Sequence, residues 1–295
     1  MDYNRIFFLV NPQAGGEKHV EKYIADLFKV SGWKSTVHTL EEDENPTELI
    51  RQEMDSYCLF AVYGGDGSIT KAAAALIGTS KPLGIIPGGT ANVLSKELGI
   101  PQDTQEALKM ICERKFSLKT IDTGMVNGRP FLLRVNLGIM AEMITEADEE
   151  LKDKIGQLAY GISAVKTALV TVPVKYNLII DDKPFTAKGV SLTVTNSGNM
   201  GIGGLQLYPG ISMTDGMLDV LLLKDAGFLS IVKAAGSSLL DQETDTIRHW
   251  TCRKISIKMA KPQTYLRDDC EDQGQSLNIE VVPASLTLIV PNNAG

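Results

Sequence analysis

Short, wholly apolar runs alternate with amphipathic stretches over the first ~120 residues, the pattern of strands buried on both faces and helices packed against them. Ile6-Phe7-Phe8-Leu9-Val10 is the first such run, and Asn11-Pro12-Gln13-Ala14-Gly15-Gly16 is the turn that follows it. From Lys18 to about Ser31 the apolar residues Val20, Ile24, Leu27 and Phe28 recur at helical spacing, and Gly32 is placed to end the helix. Trp33 to Leu40 alternates like a strand, and Pro46 to Met54 reads as a helix. Leu59-Phe60-Ala61-Val62-Tyr63 and Leu83-Gly84-Ile85-Ile86 are two more buried strands, each leading into a helix, the first to Ile77 and the second to Leu98. Gly99 and Pro101 stop the second of these helices. Alternation of this kind predicts βαβ units and a parallel sheet.

After about Asp122 the pattern changes. Phe131 to Asn136, Val174 to Ile180, Gly189 to Thr195, Met217 to Leu223, Arg253 to Lys258 and Leu286 to Val290 read as strands, punctuated by turns at Asn127-Gly128 and Asp181-Asp182-Lys183-Pro184. Two helical stretches remain. Gln157 to Val170 has Leu158, Ile162, Val165 and Leu169 on one face, and Phe228 to Leu240 is the other. The expectation is an α/β domain with a parallel sheet over residues 1–124 and a mainly antiparallel β-sandwich domain over 125–295, its last strand a candidate to return to the first domain.

The candidate chemistry sits where strands give way to helices. Gly64-Gly65-Asp66-Gly67-Ser68 and Gly88-Gly89-Thr90-Ala91-Asn92 both follow an apolar strand and open a helix. Glycine lets backbone N–H groups approach an anion, and a helix start adds free donors and the positive end of its dipole. Two such loops in succession suggest a nucleotide-phosphate site. Asp66 would repel phosphate unless a cation stood between them, so a magnesium-bridged role is expected for it. The bland alternative is a tight turn with Ser68 capping the helix.

Charge and composition narrow the rest. A formal net charge of −7 argues against nucleic acid as a partner and against a strongly basic membrane anchor. Cys58, Cys112, Cys252 and Cys270 have no C-x-x-C spacing and read as thiols of a reducing compartment, and His19, His38 and His249 lack metal-ligand spacing. The start of the chain has no long apolar core of a signal peptide, and no apolar run approaches the ~18 residues of a membrane span. A cytoplasmic protein is expected, with peripheral contact at the inner face of the membrane and a homodimer both left open.

Asn11-Pro12-x-x-Gly15, the Gly-Gly-Asp-Gly run and Pro87-Gly88-Gly89-Thr90-Ala91-Asn92 occur in that order in the diacylglycerol kinase catalytic domain, which the chain resembles. That superfamily includes sphingosine and ceramide kinases and bacterial lipid kinases. The likeness continues through Glu97-Leu98-Gly99-Ile100-Pro101, the run from Leu151 to Tyr160, Thr195-Asn196 with Gly203-Gly204, Pro209, and Asp215-Gly216-Met217-Leu218-Asp219-Val220. The resemblance implies an ATP- and magnesium-dependent kinase acting on a lipid hydroxyl at the membrane surface, in phospholipid biosynthesis. Its nucleotide contacts would fall on Asn11, Pro12, Gln13, Ala14, Gly15, Thr39, Gly65, Asp66, Gly67, Ser68, Ile69, Thr70, Lys71 and Thr90. Its magnesium loop would use Ser212, Asp215 and Met217. Glu271 would accept the hydroxyl proton, with Asp269 beside it in the acidic run Arg267-Asp268-Asp269-Cys270-Glu271-Asp272.

Three positions depart from the family pattern. Cys270 replaces a glycine, Val93 stands where many members have aspartate, and Lys71 where glutamate is frequent. The competing expectations are an NAD kinase, which also uses a Gly-Gly-Asp-Gly run, and a lipid- or nucleotide-binding protein on a catalytically weak kinase fold. The helix from Gln157 to Val170, flanked by Lys152 and Lys154 and carrying Lys166, is a further candidate for membrane contact, against the plainer reading of a core-facing stripe.

Overall fold

The computed structural model describes residues 4–15, 19–29, 31–138, 141, 172–199, 207–225 and 247–292. The chain divides into one unit of Met1–Thr123 with Pro283–Gly295 and a second of Gly124–Val282. The expected helices at Gln157 to Val170 and Phe228 to Leu240 lie outside the described residues, as do the run from Leu151 to Tyr160 and Gly203-Gly204.

In the first unit β1 (Arg5–Val10), β2 (Lys34–Thr39), β3 (Leu59–Gly64) and β4 (Leu83–Pro87) form a parallel sheet in the order β2-β1-β3-β4. The end of β14 (Cys270–Pro291) lies parallel beside β4, with Leu288 opposite Leu83. The inner strands β1, β3 and β4 are buried almost throughout, which is why they read as unbroken apolar runs. β2 closes one edge and alternates accordingly.

Helix α1 (Val20–Lys29) turns Val20, Ile24 and Phe28 inward, and the Phe28 ring meets Phe8 edge-on at 4.7 Å. The chain steps from β1 to β2 on one side, then back past β1 to β3. Right-handed crossovers therefore put α1 and α2 (Pro46–Gln52) on opposite faces. α2 packs beside α3 (Asp66–Leu76), and α1 beside α5 (Thr104–Cys112). The strand order reverses between β1 and β3, where open α/β sheets bind ligands at their carboxyl edge.

Helix α5 is absent from the sequence-based expectation, which stops at Pro101. Its signal was present: Asp103 accepts from the Glu106 amide at 2.9 Å, in an Asp-x-x-Glu pattern. β5 (Phe116–Val126) then pairs with β14 and leads into the second unit.

The second unit is an antiparallel sandwich. One sheet runs β12 (Ile247–Cys252), β11 (Leu218–Leu223), β10 (Ser191–Thr195), β7 (Arg134–Gly138) and the far end of β13 (Lys254–Arg267). The other joins β9 (Lys183–Gly189) and β8 (Val174–Ile180) to the near end of β13. The register between β13 and β14 shifts between Lys258 and Gln263, so β13 turns the corner from one sheet to the other. Val135, Leu137, Leu178, Leu192, Val220, Ile257 and Leu277 fill the space between.

The expected strand from Phe131 to Asn136 is two strands, β6 (Arg129–Phe131) and β7, broken at Leu132-Leu133. The cause is Asp268. Its buried carboxylate accepts the amides of Leu132 at 2.8 Å and of Leu133 and Arg134 at 2.9 Å each, so these groups serve a side chain instead of a ladder. Two other strands, β9 and β12, carry too many polar residues to be legible as strands from pattern alone. All four cysteines are free, and burial first, then the nearby Asp181 and Asp219, push the Cys252 thiol up to about 12.

Two outcomes follow from this packing. Asp268→Ala orphans three amides and is expected to cost roughly 3 kcal/mol or more, read from urea unfolding, with Asp268→Asn recovering part of it. Cys252 is expected to resist alkylation at pH 8 in the native chain and to react once the chain is unfolded in urea, as counted by mass spectrometry.

Candidate active site

β1, β3 and β4 end side by side, and each end opens into a turn. Asn11 ties the first turn to the second. Its amide donates to Tyr63 O at 3.0 Å, its Oδ1 accepts from Gln13 N at 3.0 Å, and its Nδ2 donates to Ser68 Oγ at 2.9 Å. Tyr63, the penultimate residue of β3, donates its hydroxyl to Ala14 O at 3.2 Å. Gly15 has φ +64°, and a Cβ there would lie 2.4 Å from the Tyr63 hydroxyl, so both the conformation and the space require glycine.

The two glycine loops touch backbone to backbone. Gly88 N donates to Gly64 O at 2.9 Å. A Cβ on Gly89 would stand 2.6 Å from Gly65 Cα, closer than any real side chain tolerates. Asn92, at φ 47°, closes the second loop on itself: its Oδ1 accepts from Gly89 N at 2.9 Å and its Nδ2 donates to Gly89 O at 2.8 Å. Sequence reasoning did not single out Tyr63 or give Asn92 this role, although both lie within the runs it quoted.

Asp66 locks the pair. Its carboxylate is buried and accepts the amides of Val93 at 2.9 Å and Leu94 at 3.1 Å, capping α4 (Val93–Glu97) from across the loops. Each oxygen thus holds an amide of the second loop's helix, a structural role that stands beside the expected magnesium bridge. Val93, one of the three departures, is here a buried side chain whose amide is the useful group.

The other expected nucleotide contacts divide by position. Pro12, Gln13, Gly15 and Thr90 are exposed, and Ala14, Gly65, Gly67 and Ser68 are half-buried around the same strand ends. Thr39 is exposed at the carboxyl end of β2, opposite Val10. Ile69 and Thr70 differ from these in burial. Both are buried, and the Ile69 amide donates to Gly65 O within the helix, so their side chains serve the core. Lys71 is exposed on the second turn of α3, where its carbonyl accepts the Thr47 hydroxyl of α2 at 2.7 Å.

In the second unit the Ser212 to Met217 segment is a tight loop before β11. Ser212 Oγ accepts from Thr214 N at 3.2 Å, and Asp215 Oδ1 accepts from Met217 N at 3.0 Å, with Gly216 at φ 72°. Asp215 is exposed, and the loop's candidate ligands are all oxygens (one carboxylate and two backbone carbonyls), a donor set suited to a hard cation. Among the described residues no group of three His, Cys, Asp or Glu side chains is gathered for a metal.

Asp219, just beyond the loop, meets His249 Nε2 at 2.6 Å, and the Tyr208 ring lies 4.2 Å from the imidazole. Burial pushes the Asp219 carboxyl up, the His249 hydrogen bond and charge pull it down, and Asp215 nearby pushes it up again. His249 had no expected role.

The acidic run near the C-terminus is sorted by the β13–β14 hairpin. Asp268 is buried on backbone amides, as described. Asp272 is held by Arg267 Nε at 3.1 Å and by Arg129. Glu271 is exposed on β14, opposite Leu266, and its carboxylate makes no hydrogen bond or ion pair among the described residues. Asp269 is exposed at the tip. The acids of the run therefore differ in burial and partners. Cys270 stands in extended backbone paired with Arg267, while the positive φ of the turn, 49°, belongs to Asp268, so no glycine is needed at 270.

The Diacylglycerol kinase catalytic domain matches residues 5–126, and the YegS C-terminal NAD kinase beta sandwich-like domain matches residues 134–290. The chain belongs to this family of lipid kinases. It is 28% identical over 242 residues to the diacylglycerol kinase of Bacillus subtilis, covering 80% of this chain and 78% of that one. It is 30% identical over 245 residues to an uncharacterized protein of Synechocystis, covering 81% of this chain but only 56% of the relative's length. A diacylglycerol kinase structure from Bacillus anthracis matches with a TM-score of 0.78 over 100% of both chains at 21% identity, a likeness of fold. The family's two-part architecture, an α/β domain with parallel strands followed by a mostly antiparallel sandwich, is the one described above. No helix among the described residues is long and apolar enough to cross a membrane.

The loop contacts generate a paired prediction. Gly89→Ala is expected to cost about 1–3 kcal/mol through overpacking against Gly65. Asp66→Ala is expected to cost roughly 2 kcal/mol and to raise amide exchange at Val93 and Leu94 before the rest of the unit, measured by NMR hydrogen exchange.

Proposed function

We propose that the chain is an ATP- and magnesium-dependent kinase that phosphorylates the hydroxyl of a lipid such as diacylglycerol. The observation that carries this reading is the convergence of three turns on the carboxyl ends of β1, β3 and β4, two of them so close that only glycine fits. In the proposed mechanism the exposed parts of the 11–15 turn, the first turn of α3 and Thr90 bind phosphate oxygens through backbone amides and hydroxyls. Asp66 acts indirectly, by holding the two loops at the spacing phosphate requires. Magnesium, when bound, would neutralise charge on the phosphate oxygens, and Ser212 O, Asp215 and Met217 O are the groups that would hold it.

Glu271 serves as the proton acceptor. Its carboxylate takes the hydroxyl proton as the lipid oxygen bonds to the terminal phosphorus of ATP and the bond to ADP breaks. Its solvent exposure, and the absence of a side-chain partner among the described residues, leave it available for that task, whereas Asp268 and Asp272 are committed elsewhere. Lipid phosphorylation places the chain at a membrane surface, on the cytoplasmic side where ATP is found.

The deciding measurement is phosphate transfer from labelled ATP with magnesium to a panel of diacylglycerol, monoacylglycerol, phosphatidylglycerol, a sphingoid base and a polyprenol. Turnover of one lipid is expected. Glu271→Gln is expected to lower kcat by about a hundredfold or more while ATP binding is retained. Nucleotide binding without transfer to any lipid would leave a binding protein in place of a kinase, and full activity of Glu271→Gln would remove the residue from the mechanism.

A further inference from the structure

The outward face of the sheet formed by β9, β8 and the near end of β13 carries lysines with no acidic partner among the described residues. Along β8, Tyr176, Leu178 and Ile180 are buried and Lys175, Asn177 and Ile179 point out. Along β13, Ile255, Ile257 and Met259 are buried and Lys254, Ser256 and Lys258 are on the opposite face. Pairing brings the outward residues into rows: Lys188 opposite Lys175, Thr186 and Lys258 on either side of Asn177, and Pro184 and Ser256 on either side of Ile179.

Lys175 and Lys188 are thus directly opposed like charges, an arrangement that destabilises an antiparallel pair. Lys258 stands on the diagonal from Lys175. None of the three ammonium groups forms a hydrogen bond or an ion pair among the described residues. The acids of this sheet gather at its hairpin end around Lys254: Asp182 binds its Nζ at 2.8 Å, Asp181 accepts its amide at 3.0 Å, and Glu280 lies opposite it.

Protection of an open edge accounts for a lysine on β9, because edge strands use lysine to refuse further pairing. It does not account for Lys175 or Lys258, whose strands are paired on both sides. Ile179, 49% exposed between Pro184 and Ser256, adds an apolar group to the same face. In a chain of net charge −7, a face of lysines unpaired among the described residues, hydroxyl and amide groups and an exposed isoleucine is complementary to a surface that is itself anionic and has an apolar layer beneath.

We propose that this face, with Lys258 diagonal to Ile179 and Lys175 and Lys188 one row further along, docks on an anionic lipid bilayer. The like-charge opposition of Lys175 and Lys188 is relieved there by lipid phosphates, and Ile179 enters the interface. The choice of a bilayer as occupant extends the lipid-kinase reading, but the docking can be measured with no nucleotide and no turnover.

The test is sedimentation of the full chain with vesicles of phosphatidylcholine alone or with phosphatidylglycerol, at low and high salt. The chain is expected to pellet with the anionic vesicles and to be released by salt. Replacing Lys175, Lys188 and Lys258 together by Gln is expected to weaken that partitioning about a hundredfold, since each lysine near an anionic surface contributes about a factor of five. The thermal midpoint of this variant should be unchanged or slightly raised. A control replacing the exposed Lys22, Lys29 and Lys109 should pellet as the parent does. Equal loss in both triple variants, undiminished pelleting of the first, or no binding of the parent to anionic vesicles would each overturn the proposal. Phosphorylation of detergent-dispersed lipid by the first variant, run in parallel, keeps a failure of docking distinct from a failure of the kinase reading.

Discussion

The contact between Gly65 and Gly89, held by the buried carboxylate of Asp66, is the constraint on which the candidate site depends. Three parallel strands bring their carboxyl ends together, but strands alone leave the following loops free to diverge. Here the second loop is fastened by the amides of Val93 and Leu94 on Asp66, and by Asn92 closing on Gly89. The first turn is fastened by Asn11 on Ser68 and by the Tyr63 hydroxyl on Ala14. Backbone donors can be held at fixed spacing only if something other than the ligand sets that spacing, and these side chains do so.

The same economy of buried carboxylates governs the second unit. Asp268 turns three backbone amides toward itself, breaks what would have been one strand, and fixes β6 and β7 against the β13–β14 hairpin. Its neighbours are then free to differ: Asp272 is neutralised by two arginines, and Glu271 is left in solvent. Four acids that look alike in one run thus have unlike environments, set by which ones the hairpin turns inward.

Most of the architecture was legible in the sequence because burial on both faces writes itself as unbroken apolar runs, as in β1, β3 and β4. β9 was not, since an edge strand with Lys183, Pro184 and Lys188 has no such signature, and α5 was passed over although Asp103 and Glu106 marked its start. At the candidate site, the glycines announced positions where a Cβ is excluded, but not what excludes it. Part of the answer is the neighbouring loop's own backbone, a contact between residues more than twenty positions apart that no local motif encodes. For the same reason the structural role of Asp66 was not legible: sequence shows a carboxylate beside glycines, and only the fold shows two amides arriving from the next helix. The cysteine at 270 looked like a lost glycine until the left-handed residue of the turn proved to be Asp268.

The pairing of β14 with β4 has a consequence for how the chain acquires its structure. The first unit draws its strand beside Leu83 from residues that follow Pro283, so its sheet is not encoded in one contiguous stretch. During synthesis the flank of β4 waits bare while more than half of the chain is still to be made. Closing that gap is among the last events of assembly and carries a large loop-closure cost, so the N-terminal segment is expected to be held late, and to be the part most in need of shielding while it waits.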